Sequence, residues 1–469
     1  MADALASTEW HALSGWGGSV HAVARVVRPR DADEVAAVLA AASERGVTLT
    51  PRGAGRSYGD AALPPEAHHV LDLRRLDRIP DLDARAGRVT VEAGVTVERL
   101  WRHVIGHGWW PAVVPGTMRP TLGGCAAMNV HGKNQYRVGA FGEHVERLTL
   151  VSPTGTRRDV DATRDGDLFR AVIGGAGLLG VVTDLTLRLH RVDAPELAVT
   201  AQPVESVERM VALLDERRHD DDYLVGWLDA FDRRARGVVH SARYVPAGDG
   251  GLDAVRQDLP ERILGVVPRD RAALLLRPLA RPAGIRALNA AKRVLAGVRG
   301  PHAFRQAHAA FHFLLDYVPR WRSVYAPGGL LQHQSFVPAP HAAAVLSAHL
   351  DRCRASGIVP WLAVVKRHRA DDFLLTHNLD GVSLALDFPV TAADGGALLA
   401  LCRAMDEDTL AAGGRLYMAK DQTALPASLA ARGQQTLRDH RRRWRDAVLQ
   451  RHAAGGGVAA LQVDDVLQR

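Results

Sequence analysis

Lysine is almost missing from this sequence. Among 59 basic side chains in 469 residues, only four are lysines: Lys133, Lys292, Lys366 and Lys420. Arginine serves nearly everywhere a cation is wanted. It is a wide planar fork that keeps its proton, whereas lysine is a compact charge whose pKa burial can lower. The scarcity marks each lysine as a position where arginine would not do. Cysteine is equally sparse. Cys125, Cys353 and Cys402 lie far apart, and without a CxxC pair neither a zinc knuckle nor a disulfide framework is supported. No metal is expected, because His308 and His312 stand four apart in "HAAFH" without the glutamate of HExxH. No apolar run is long enough for an integral membrane segment. The N-terminal "MADALASTEWHALSGWGG" has no basic stretch leading into an apolar one, so the expected location is cytoplasmic.

What is present reads as an ordinary soluble globular protein. The chain is 47% hydrophobic and 24% charged with a net charge of +7, a balance that favours anionic partners. The densest basic run, "RDHRRRWRD" at 438–446, sits in no nucleic-acid module. It reads as a solvated helix face, with a membrane-peripheral contact as the lesser alternative. The length exceeds one compact core and suggests two domains, one of them interrupted. Short β-branched runs at 21–29, 47–53 and 69–73 flank an amphipathic stretch at 31–46. Asp31 and Glu34 stand at capping-box spacing and Gly46 closes that helix. A strand and a helix starting near Thr96 follow, then a small-residue segment at 115–145, and then a helix, glycine turn and strand over 167–191. Beyond about 195, longer helical patterns are spaced by single strands at 223–231, 328–338, 359–368 and 381–390, with proline-, arginine- and alanine-rich connections over 258–302. A glycine-containing style returns near 410, followed by helices. The expected domains are 1–195, an insertion at 196–409, and a return at 410–469.

"GAGLLG" at 175–180 matches GxGxxG, but a helix precedes it and a strand follows, the reverse of a dinucleotide fingerprint. "GAGRSYG" lacks the GK[ST] ending of a P-loop. What remains is four small-residue clusters, at 53–59, 116–117, 123–127 and 174–180. Together they suggest a long, thin ligand approached by backbone at many points, with N–H groups cradling a pyrophosphate.

"PRGAGRSYGD", "PGTMRPTLGGCAAMNVHGKN", "GAFGEHV" and "GGAGLLGVVTDLTL" resemble the FAD-linked oxidases with a vanillyl-alcohol-oxidase-type (PCMH-type) domain. "GRSYGD", "HGKN" and "YMAKD" are similar to the members that oxidise polyprenylphosphoryl ribose. The resemblance implies an α+β fold: a two-subdomain FAD-binding domain, an inserted α+β substrate or cap domain, and a C-terminal return. It implies FAD along Arg52, Gly53, Ala54, Gly55, Arg56, Ser57 and Tyr58; along Gly116, Thr117, Leu122, Gly123, Gly124 and Met128; along His131, Gly132 and Asn134; and at Gly177, Val182 and Tyr417. Arg56 occupies the position where many relatives carry a flavin-linking histidine, and Cys125 is out of register for a cysteinyl link, so the FAD is expected to be non-covalent.

The implied activity is oxidation of a secondary alcohol on a sugar-like substrate, with hydride transfer to flavin N5. Such chemistry needs a cation near the reduced flavin and a base or relay at the hydroxyl. Lys420, Tyr58, His131 and Lys133 are the expected catalytic residues. Trp227, His312, Gln332, Gln334, Lys366 and Ala385 are the expected substrate residues. A strand through "QHQ" would point both glutamines to one face and His333 to the other. Oxygen or a quinone would reoxidise the flavin, and a short-chain reductase would be the partner that completes an epimerisation. The loop at 367–381 departs from the resemblance by adding Asp371, Asp372 and Asp380, which would suit a polyol or a cationic aminosugar better than a sugar phosphate; the alternative enzyme is a pathway-specific oxidase of a soluble sugar, aminosugar, nucleoside or polyol. A flavin-binding protein without turnover is the remaining alternative.

Overall fold

A computed structural model describes residues 9–64, 69–246, 259–263, 267–273, 277–391 and 395–420, with single positions 5, 252, 257 and 423. The basic run at 438–446 and the helices expected at the C-terminus lie outside these residues.

The N-terminal part is a mixed α+β structure built on two sheets. Strands Trp10–Ser14, His21–Val27, His69–Asp72 and Leu49–Arg52 form the first, in that spatial order. His69–Asp72 runs parallel to both neighbours, as a β-α-β crossover through helix Ala32–Glu44 requires. Asp31 caps that helix by accepting from the N–H groups of Asp33 and Glu34. Glu34 reaches back to the N–H of Arg30, one residue earlier than a capping box would have it. In the second sheet, Val181–Arg191 runs between Arg88–Glu92 and Val145–Val151. Its burial alternates almost strictly, because one face packs onto the helix Val97–Val104, capped by Thr96, and the core around Trp101 and Trp110.

From Glu196 onward the chain is far richer in strands than its helical patterns suggest. Eight antiparallel strands form one sheet in the order His302–Ala307, Glu196–Val204, Gly237–Tyr244, Tyr223–Leu228, Leu362–His368, Gly381–Pro389, Leu330–Pro338 and Arg415–Leu416. Alanine, glutamine and proline dilute the alternation in "ELAVTAQPV", which hides that strand in the sequence. The expected connection at 258–302 contains instead an eighteen-residue helix, Pro282–Arg299. Proline opens it and alanines fill it, but its exposed side carries no polar stripe to reveal a period.

The alternation of this sheet decides where the site lies. Leu224, Val239, Ala363, Val365, Leu384, Leu386 and Val337 point to one face and pack with Met210, Leu346 and Met405 from the helices Val207–Arg217, Ala339–Ser356 and Gly395–Ala411. The residues between them point the other way, into a cavity bounded on its far side by the glycine segments of the N-terminal part.

Candidate active site

The cavity measures about 580 Å³ and runs between the two parts of the chain. Its N-terminal wall is backbone. The loop 51–58, the start of the short helix Leu122–Ala127, and the turn 175–182 all line it. Two glycines are fixed by close approach: a Cβ on Gly53 would stand 2.0 Å from Thr121 Oγ1, and one on Gly123 would stand 2.7 Å from the Ala93 Cβ. Arg52 holds the loop by donating to the carbonyls of Ala62 and Ser14 at 2.8 and 2.9 Å. The Arg56 guanidinium lies 4.0 Å from the Trp16 ring centroid, with Arg322 over the same ring at 4.4 Å. Burial and then the charges of Arg322 and Arg119 lower Arg56 to about 10.

This wall fits a flavin dinucleotide. It is elongated and glycine-lined with arginines along it, and cavity residues Arg56 (Nε) and His131 (Nδ1) keep buried nitrogens for which no described residue is a partner. Such orphaned groups are costly unless a ligand meets them.

The opposite wall is the sheet. Gln332 and Gln334 face the cavity, while His333 between them bonds Asp406 on the helix side at 3.0 Å, as the "QHQ" alternation predicts. The Gln332 carboxamide donates to Asp387 Oδ1. Gln334 donates to His131 Nε2 at 3.2 Å and to Ser383 Oγ at 3.4 Å, which leaves the His131 ring proton on Nδ1. Behind them stands a packed group of rings. His131 lies 4.9 Å from His368 and 5.4 Å from Tyr417, and Tyr417 lies 4.0 Å from His377. Burial, then the charge of Lys366, holds His131 well below the usual histidine range. Burial lowers His377 to about 3. These imidazoles are neutral at physiological pH.

All four lysines of the chain line this one cavity. Lys420, in the turn after strand Arg415–Leu416, sets its Nζ 3.9 Å from the Tyr58 ring centroid. Lys133 donates to the Phe311 carbonyl and lies 4.2 Å over that ring. Burial, reinforced by Lys366, lowers it to about 7. Lys366 is lowered by burial to about 8. Lys292, an exposed residue of the helix Pro282–Arg299, reaches toward the cavity with its ammonium 3.9 Å over Trp227. No carboxylate lies among the described lining residues.

The expected site residues converge here, with Gly116, Thr117, Gly124, Met128, Gly177 and Val182 on the dinucleotide side and Trp227, His312 and Ala385 on the sheet side. Three do not line the cavity. Leu122 is fully buried in the N-terminal core. Gly132 is backed by Asn134 Oδ1, 2.6 Å from where its Cβ would be, and Asn134 donates to the Ala112 carbonyl at 2.8 Å. Cys125 is buried away from the wall, and burial pushes its thiol up. The acidic loop also stays outside. Asp371 accepts from Asn129 and Asn378 at 3.1 and 2.6 Å, Asp372 lies 3.8 Å from Arg170, and Asp380 pairs with Arg367 at 2.6 Å. Its carboxylates therefore give no support to a cationic aminosugar.

Lys292, His240, Ser383 and Asp387 were not assigned to the site by sequence reasoning. Rarity alone flagged Lys292. Asp387 belongs to the "DFP" tripeptide; burial raises its carboxyl to about 6, against the opposing pull of the Gln332 hydrogen bond and the Lys420 charge.

Comparison with known proteins agrees with this geometry. Residues 23–161 match a family model described as an FAD binding domain. The chain is 31% identical over 423 residues to the decaprenylphosphoryl-β-D-ribose oxidase of Mycolicibacterium smegmatis, covering 87% of this chain and 88% of that protein. Shorter matches include the D-arabinono-1,4-lactone oxidase of Eremothecium gossypii, at 29% over 184 residues, 38% of this chain and 34% of that one. A mitochondrial cytochrome-type D-lactate dehydrogenase of Arabidopsis thaliana is 30% identical over 181 residues, 38% of this chain and 31% of that one.

Proposed function

The chain belongs to the FAD-linked oxidoreductase family that includes decaprenylphosphoryl-β-D-ribose oxidase, and from that premise we propose that it oxidises a secondary alcohol on a lipid-linked pentose phosphate. The observation that carries this reading is the composition of the cavity: four lysines and two glutamines line it together with the glycine segments, and no described carboxylate does. A sugar phosphate is anionic and rich in hydroxyls, and ammonium and carboxamide groups match it.

FAD along the 51–58, 116–124 and 175–182 segments supplies the hydride acceptor. The chain's own residues do the rest. Gln334, fixed by His131 and Ser383, and Gln332, fixed by Asp387, orient the ring hydroxyls. Lys420 and Tyr58 stand at the reacting end. Lys420 Nζ, in its neutral amine form, takes the proton of the reacting hydroxyl, and the ammonium so formed offsets the negative charge that the departing hydride carries to the acceptor. Neutral His131, backed by Phe336 and Tyr417, keeps water out of the inner end.

The test is anaerobic bleaching of the flavin band by a panel: a short-chain polyprenylphosphoryl ribose, free pentoses and polyols, nucleosides and aminosugars. Bleaching by the lipid phosphate alone is expected. Equal or faster bleaching by a soluble sugar would overturn the substrate reading while leaving the flavin chemistry intact.

A further inference from the structure

We propose that Lys292 is the subsite for the phosphate of the substrate, over Trp227 and three strands across the sheet from Gln334, with the apolar row beside it taking the first units of the attached chain. This deepens the functional reading above and rests on it.

Three observations carry it. The first is the layout of the sheet. Gln334, Ala385, Val364 and Trp227 are successive partners on four adjacent strands. Three inter-strand steps separate Gln334 from Trp227, about 14 Å. A bare pentose cannot touch both the glutamines and the ammonium over Trp227, but a pentose extended by a phosphodiester and the start of a chain can.

The second is the state of the cation. Lys292 has no hydrogen bond or ion pair to any described residue; its one described contact is the Trp227 ring, at 3.9 Å. Its neighbour Arg293 behaves otherwise, bonding Asp229 at 3.2 Å and lying 3.7 Å from Asp232. An ammonium resting on an aromatic face can leave it for an anion at small cost.

The third is the helix that carries it. Its inner face is anchored: Ile285 packs with the Tyr58 and Trp361 cluster, and Ala296 packs against Trp227. Lys292 sits at the margin of that face. Leu288 and Leu295, one turn before and one turn after it on the same stripe, are exposed at 37% and 51%, and Val298 beyond them at 81%. A cation opening inward between apolar steps that open outward matches an anionic group attached to a hydrocarbon chain. Free phosphate would use the first feature only.

The experiment titrates the FAD-loaded protein with a short isoprenyl phosphate lacking the sugar, with the corresponding isoprenyl alcohol and with inorganic phosphate. Binding is read by calorimetry. Isoprenyl phosphate should bind more tightly than either fragment. Lys292→Met, which keeps the apolar stem, should weaken it by about 10- to 100-fold and leave the alcohol unchanged, and Lys292→Arg should recover part of the loss. An unchanged flavin spectrum identifies folded variants. If the wild type binds isoprenyl phosphate and Lys292→Met binds it equally well, the subsite is wrong and the substrate reading stands. If the wild type does not bind it, the lipid-phosphate reading falls with the subsite. Inorganic phosphate binding as tightly as the isoprenyl phosphate would overturn the role of the apolar row.

Discussion

Lys420 and Tyr58 meet across the chain, one from the turn after Arg415–Leu416 and the other from the first glycine loop, joined also by the Tyr58 N–H to the Ala419 carbonyl at 3.0 Å. Removing the amine should leave the cradle intact. Lys420→Ala is expected to retain FAD and to slow flavin reduction by about 100-fold or more, which stopped-flow absorbance would measure; unaltered reduction would refute the assignment. Lys133 gives a pH prediction. Burial disfavours its ammonium, so in the folded protein it is protonated below about pH 7 and neutral above. If its charge helps hold an anionic substrate, kcat/KM should fall as pH rises from about 7, and Lys133→Met should flatten that limb. Arg56 and Cys125 bear on the cofactor linkage. With arginine in the loop and the thiol off the wall, acid precipitation should leave all yellow colour in the supernatant.

At the scale of elements, the strand Leu330–Pro338 separates two jobs by a period of two. Its glutamines serve the cavity, and His333 ties the sheet to the helix Gly395–Ala411 through Asp406. Both partners are almost fully buried. Asp406→Ala should therefore lower unfolding free energy by about 1–3 kcal/mol in denaturant titrations without altering the spectrum of bound flavin. This strand was legible in the sequence because the apolar pairs Leu330–Leu331 and Phe336–Val337 bracket "QHQS" in a short run closed off by Gly329 and Pro338. Glu196–Val204 and Gly237–Tyr244 were not, since alanine, glycine and proline blur their period. They become strands by pairing with each other over eight residue pairs, a long-range fact that no local pattern contains. Lys292 was hidden for a related reason. Its helix is half outside the protein, so burial imposed no stripe on it. The glycine segments showed the cofactor wall more clearly, because close backbone approach leaves a mark on residue identity itself: Gly53 and Gly123 admit no side chain.

The whole molecule carries many buried histidines that resist protonation. Burial holds His131, His312 and His368 well below their ordinary range, His349 and His377 near 3, and His308 near 4. In the unfolded chain each takes up a proton near pH 6.5. Below that pH the unfolded state binds protons that the folded state refuses, so stability falls on acidification, by roughly tenfold per group and pH unit. Asp387, raised to about 6, opposes this but is outnumbered. The melting temperature should drop steeply between pH 7 and 5, and a flat profile would show that these imidazoles protonate in place.

The concentration of every lysine in one cavity has a consequence for reagents. On an arginine-rich surface Lys292 is the one exposed lysine, and burial keeps Lys133 and Lys366 more nucleophilic at neutral pH than ordinary lysines. Acylating labels and amine crosslinkers, which on most proteins decorate the whole exterior, find these lysines only around one cavity. The extent of modification thus reports access to the cavity, and a ligand seated against these amines would sharply reduce it.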